Sequence, residues 1–416
     1  MTGPTTPPTT PVRTPLPPSA LAGLDLADPA THARHDLSEI WRTLRAEDPV
    51  HRHTPAGGAP AFWVVTRFAD ATEVYRAPDR FTSERGNVLA SLLAGGDSAS
   101  GVMAAVTDGP RHRDLRRVLL RVFSPRALSG VVEKVERTGH DLLAAVVGRP
   151  ECDFAEDVAA HLPLKAVCDL LDVPPPDRAF LLARTRTALS SDGPDQSPFE
   201  AWQARNDILA YFGELAEHRR QHPGTDAVSV LATARIEGRP LTMDEVVANC
   251  YSLILGGDET SRLAITGAVL AFTEHPDQWR AFKDGEVRLD TAVDEVLRWT
   301  TPALHFGRTA TADTRLNGVP VAAGDIVTVW NASANRDEAA FPDPDRLDLG
   351  RTPNKHLSFG HGPHYCVGAH LGRAEIAGLL GALRERVARI ELTGRPEPVY
   401  SSMLSGFSSL PVRLVP

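Results

Sequence analysis

From Thr242 the chain reads TMDEVVANCYSLILGGDETSRLAITGAVLAFTEH, a run apolar on nearly every side. Glu245, three residues after Thr242, completes a capping box, and the 3.6-residue spacing predicts one long helix. A helix without a polar face has to be surrounded by other elements, so it runs through the middle of a large body. At its centre stand Gly256, Gly257, Asp258, Glu259 and Thr260. Each glycine costs about 1 kcal/mol in a helix interior relative to alanine. Adjacent acids in a core cost more unless they find partners. A helix that breaks its own rules at mid-length marks a functional site.

Helical periodicity recurs elsewhere, in PRALSGVVEKVERTGHDLLAAVV, FEAWQARNDILAYFGELAEHRRQ and AEIAGLLGALRERVARI. Strand-like runs are short. AFWVVTRF is one, and GVPVAAGDIVTVWNAS reads as a hairpin about Ala323-Gly324. The fold class is therefore mainly α with small β-sheets. The first nineteen residues hold seven prolines and no apolar run, and read as a disordered leader, neither signal nor anchor. The rest, 20–416, carries 42% apolar residues over the full chain, enough for a large core.

A net charge of -9, from 44 basic and 53 acidic residues, repels phosphate backbones and anionic lipid, so neither nucleic acid nor membrane is an expected partner. Cys152, Cys168, Cys250 and Cys366 lie far apart, which argues against a disulfide framework and for a reducing, cytoplasmic setting.

Cys366 is the special one. It sits in FGHGPHYCVGAH, among Gly360, Gly362 and Gly368, directly before a helix whose N-terminal dipole favours an anion. A buried structural thiol is the ordinary fate of a free cysteine. His361, His364 and His370 also offer a zinc reading, but their spacing makes tetrahedral convergence awkward. Phe359-x-x-Gly362-x-His364-x-Cys366-x-Gly368 resembles the haem-binding loop of the cytochrome P450 family. The resemblance implies haem b with Cys366 as axial thiolate, a ligand that favours O–O cleavage, and Phe359 and Gly368 as parts of its seat.

Further segments carry the same resemblance. Glu295-Val-Leu-Arg298 is similar to the family's ExxR pair and Pro344-Asp345-Arg346-Leu347 to its later arginine segment, which implies a structural charge network of Glu295, Arg298 and Arg346. TDGPRHRDLRR resembles the helix whose histidine and arginine bind haem propionates, implying that role for His112 and Arg116, with Arg308 and His364 at further propionate positions. The GGDETS stretch resembles the oxygen-binding groove: Gly256 lets the helix open, Thr260 holds oxygen and water, and Glu259, or less directly Asp258, relays protons. Read by themselves, Glu295/Arg298 are an ordinary i,i+3 pair and the 107–125 run a solvated basic helix.

The family resemblance, which runs from about Trp63 onward, implies one large, triangular, mostly helical domain. It also implies a monooxygenase that hydroxylates or epoxidises a small molecule. Electrons would come from a ferredoxin or flavodoxin with its reductase, docked on Arg111, Arg113, Arg117, Arg121 and Arg126. The expected pocket is lined by 86–106, 184–199, 302–307 and 401–407, with Leu304, His305 and Phe306 as substrate contacts. Its style is similar to bacterial members that tailor polyketide or peptide antibiotics. A carrier-tethered substrate, oxidative coupling, and a non-catalytic haem sensor or recruitment module are the alternatives.

Overall fold

The computed structural model describes residues 12–189 and 197–416. Helices dominate, and those that position the site are α1 (Phe68–Arg76), α2 (Gly109–Val122), α3 (Pro125–Val146), α4 (His161–Leu170), α5 (Arg178–Leu189), α6 (Pro198–Gln221), α7 (Met243–Glu274), α8 (Leu289–Thr300) and α9 (Ala369–Arg386). The capping box at α7 is formed as expected: the Glu245 N–H donates to Thr242 Oγ1 at 3.2 Å and the Thr242 N–H to Glu245 Oε2 at 2.9 Å. From Val246 to Phe272 that helix is buried on successive sides by α4, α6, α8 and α9, as its missing polar face requires.

The main sheet has strands β1 (Val50–His53), β2 (Phe62–Val65), β3 (Phe81–Thr82), β4 (His305–Ala310) and β5 (Ile326–Trp330), in the order β1-β2-β5-β4-β3. β2 and β5, buried at every residue, pair in parallel at its centre. This divides the hairpin expected about Gly324. Val319–Val321 instead turns back on Thr314–Leu316 through Asn317 and Gly318, both at positive φ, and β5 crosses to the sheet. A strand with no polar face is better buried at a sheet's centre than paired in a two-stranded ribbon.

Two further boundaries differ from the expectation. Residues 1–11 of the leader lie outside the described residues, but Thr14–Pro15 pairs with His35–Asp36 and a 3-10 turn covers Pro18–Gly23. Leu16 and Leu21 supply the reason, packing on a cluster with Trp41 and Trp330. At the other end α9 stops at Arg386, and Arg389–Leu392 becomes a strand paired with Pro411–Val415. No helix among the described residues is long and apolar enough to cross a membrane.

Candidate active site

The Cys366 loop is shaped by backbone before any side chain acts. Gly360 and Gly362 sit at φ +67° and +71°, a region that other residues resist. A Cβ on Gly362 would lie 2.4 Å from the Tyr75 carbonyl oxygen, so the loop closes against the end of α1 only because that side chain is missing. The Gly360 N–H donates to Leu357 O and the Cys366 N–H to Phe359 O, at 2.8 and 2.9 Å. Burial pushes the Cys366 thiol up, while the Gly368 N–H, Arg116 and Arg373 pull it down. Cys366 is nevertheless exposed, unlike the buried Cys152, Cys168 and Cys250. Phe359 packs under the loop beneath the Arg373 guanidinium, 4.6 Å from its ring centre.

His361, His364, Cys366 and His370 do not converge; among the described residues no three His, Cys, Asp or Glu side chains form a metal-holding group. The zinc reading falls with that.

Cations gather beside the loop. Arg308 on β4 is only 4% exposed, yet it donates to nothing but the Gly307 carbonyl, with the Tyr75 ring 5.4 Å away and no ion pair among the described residues. A buried guanidinium stays charged, so it calls for an anion from outside the chain. Arg116 is half-buried and donates to the Tyr365 carbonyl at 2.7 Å. His112 is buried and stacks on His364 at 4.2 Å. His364 in turn bonds Asp108 at 2.7 Å. Asp108 also accepts from Thr82 Oγ1 and the Ser83 N–H, and these partners hold it down at about 2 against its burial. Burial first, then His364 and Arg116, lower His112 to about 4.

The centre of α7 is continuous α-helix through the two glycines. Gly256 is exposed and a Cβ there would meet nothing within 4 Å; Thr260, one turn on and half-buried, donates to the Gly256 carbonyl at 3.0 Å. The first turn of α9 lies against the same region, since a Cβ on Gly372 would be 3.7 Å from Ser261 Oγ. Glu259 faces no solvent. It is 1% exposed and both its oxygens accept from Arg262. Asp258, also buried, accepts from Thr185 of α5 at 2.9 Å.

Behind the loop, Glu295 and Arg298 of α8 are fully buried and paired through two bonds, 2.7 and 2.8 Å. The expected third arginine is corrected here. Arg346 is exposed and gives only its backbone carbonyl, to Arg298 and Arg351, while the side chain that reaches Glu295 is that of Arg351, at 3.1 Å. Nothing in a loop's sequence says which of two arginines five residues apart turns inward.

The substrate contacts divide. Strand alternation puts Phe306 and Arg308 on one face of β4 and His305 on the other. There His305 stacks on Trp330 at 4.4 Å, 1% exposed, with neither ring nitrogen partnered, and burial lowers it to about 3. It belongs to the N-terminal layer, so the expected substrate contact is withdrawn. Leu304 is held by its N–H to Met403 O at 2.8 Å, which joins the 302–307 and 401–407 segments as expected neighbours. The 184–199 segment falls partly outside the described residues.

A flat, dianionic cofactor held through a thiolate fits these residues: an exposed cysteine in a glycine-shaped loop, a buried arginine with no ion pair among the described residues, and a half-buried arginine near the same His364. The cytochrome P450 family model matches residues 288–392. Cytochrome P450 NovI of Streptomyces niveus is 52% identical over 95% of this chain and 98% of its own. The chain belongs to the cytochrome P450 family. It is accordingly a haem-thiolate monooxygenase, of bacterial type. Among solved P450 structures, OxyD, involved in the biosynthesis of vancomycin-type antibiotics, superposes with a TM-score of 0.85 at 36% identity, covering 94% of this chain and 99% of that one. P450BioI, solved with a fatty-acyl carrier protein, gives 0.82 at 27%, covering 91% and 98%.

Proposed function

We propose that this P450 hydroxylates or epoxidises an intermediate of polyketide or peptide antibiotic biosynthesis. What carries the chemistry is the exposed Cys366 in a loop set by two positive-φ glycines, together with a buried Arg308 that makes no ion pair among the described residues. When bound there, haem supplies dioxygen activation with two electrons and two protons, one oxygen atom passing to the substrate and one leaving as water. Arg308, Arg116 and His112 would hold the propionates, Cys366 the iron, and Thr260 the proton-bearing hydroxyl on the oxygen side. The antibiotic assignment draws on the similarity to OxyD.

A carrier-tethered substrate is the second reading, favoured by the similarity to P450BioI in its carrier-protein complex. Electrons reach the site from a ferredoxin or flavodoxin. Arg113, Arg121 and Arg126 are exposed on or near α2, and Arg117 is 70% exposed though paired with Asp114. Arg111 is withdrawn onto Glu245. The exposed Leu120 lies one turn from Arg116 and Arg117, and Arg116 holds the backbone of the exposed Tyr365, so the patch has the apolar centre and charged rim of a docking surface.

The test is the difference spectrum of the reduced protein with carbon monoxide. The thiolate-ligated band is expected in the native chain and lost in Cys366→Ser; a band unaltered by that substitution overturns the reading.

A further inference from the structure

We propose that Asn249 is a positioning residue: its amide seats the 99–106 loop on α7 and so sets which molecules reach the side of that helix carrying Gly256 and Thr260. The inference rests on the monooxygenase activity and not on the proposed substrate.

Asn249 lies seven residues before Gly256 and eleven before Thr260, so at 3.6 residues per turn all three share one side of α7. Asn249 is 1% exposed, Ser252 is half-buried and Gly256 is exposed. Along this side the helix comes out of cover just beyond Asn249, and the loop is what lies against it. The Asn249 amide donates to the Val102 carbonyl at 2.9 Å and accepts from the Ala104 N–H at 3.0 Å. A further donor bond, 2.7 Å to the Glu245 carbonyl one turn back, ties the amide to its own helix.

This arrangement is specific to a primary amide. Two carbonyls and one N–H surround it, which fixes the oxygen and nitrogen ends and engages both donor hydrogens. A carboxylate could not donate to Val102, and an alkyl side chain of the same size could make none of the three bonds. Neither the Val102 carbonyl nor the buried Ala104 N–H has another hydrogen-bond partner among the described residues.

The remaining bonds of the segment hold its shape rather than its place. The Val102 and Met103 N–H groups donate to the Ala99 carbonyl at 3.1 and 3.0 Å, and Thr107 Oγ1 donates to the Met103 carbonyl at 2.7 Å. Arg111, paired with Glu245, ties α2 to α7 but lies beyond the loop. At 1.5 Å per residue, Asn249 stands about 10 Å along α7 from Gly256. A single small ring at Gly256 stays short of the loop, whereas a longer molecule meets it.

Two haem ligands of different length, imidazole and 4-phenylimidazole, test this by their Soret shifts in the haem-loaded protein, together with hydrogen exchange of the 99–106 segment. The carbon monoxide band of the thiolate should persist in Asn249→Ala, because Thr82, Ser83 and His364 hold Asp108 independently of Asn249. Exchange across 99–106 should accelerate at least tenfold. Binding of 4-phenylimidazole should weaken at least fivefold while that of imidazole changes less than twofold, a split that a general loss of stability would not produce. Should Asn249→Ala lose the thiolate band, Ala104→Pro removes the Ala104 bond from the loop side and is measured in its place. Ala104 opens the 3-10 turn Ala104–Val106 after an extended Met103, a position that accommodates proline. Unchanged exchange overturns the seating of the loop; faster exchange with both ligands shifting alike overturns its role in selection.

Discussion

Glu295 accepts from Arg298 twice, from Arg351, from the Asn354 amide and from the Asp348 N–H. Removing it leaves two arginines buried without a counter-charge, and Glu295→Ala should cost about 3–5 kcal/mol in urea denaturation. Arg346→Ala, which removes an exposed side chain, should fall within about 0.5 kcal/mol of the parent. The ExxR pair is legible in the sequence because i,i+3 spacing on a helix brings two side chains together whatever surrounds them. Arg351 is not, since loops have no period. His305 could have been read better: alternation along β4 sets it opposite Arg308, and only the sheet's packing on Trp330 shows what it meets instead. Glu259 and Asp258 are legible as a pair of acids, but their partners Arg262 and Thr185 are not, one a turn away and one on another helix.

Elements were legible where local signals repeat. The helices over 125–146, 198–221 and 243–274 follow their apolar period and their Ser or Thr caps. Strand partners were not, because β2 and β5 meet across more than two hundred and fifty residues and pairing leaves no mark at that range. Helix crossings are equally hidden. α3 and α9 approach so closely at Gly139 and Gly378 that a Cβ on Gly139 would lie 3.2 Å from the Gly378 carbonyl oxygen. Backbone cannot step aside as a flexible side chain can, so Gly139→Ala should destabilise the fold by about 1–3 kcal/mol. Gly130, on the same helix but open to solvent, provides the contrast. There alanine should stabilise by up to about 1 kcal/mol through helix propensity. Thermal melts of the two variants, shifting in opposite directions, check the difference.

For the molecule as a whole, charge is unevenly spread: the chain is -9, yet α2 presents exposed arginines around Leu120. Double reversal of Arg113 and Arg117 to Glu should slow reduction by an acidic ferredoxin about tenfold or more at low salt and flatten its salt dependence. Stopped-flow reduction measures both, and an unchanged rate removes the docking proposal. The architecture could be foreseen only through motifs, because composition and period say how many helices a chain contains but not how they stack. Those motifs lie far apart along the chain, and so do the groups that would seat the porphyrin, at 112, 308 and 366, on α2, β4 and the cysteine loop. Segments so remote in sequence meet late, because long-range closure is the slow part of folding. Pigment uptake is then a clock for the completion of folding: a newly made chain should turn red only once its distant parts have found one another.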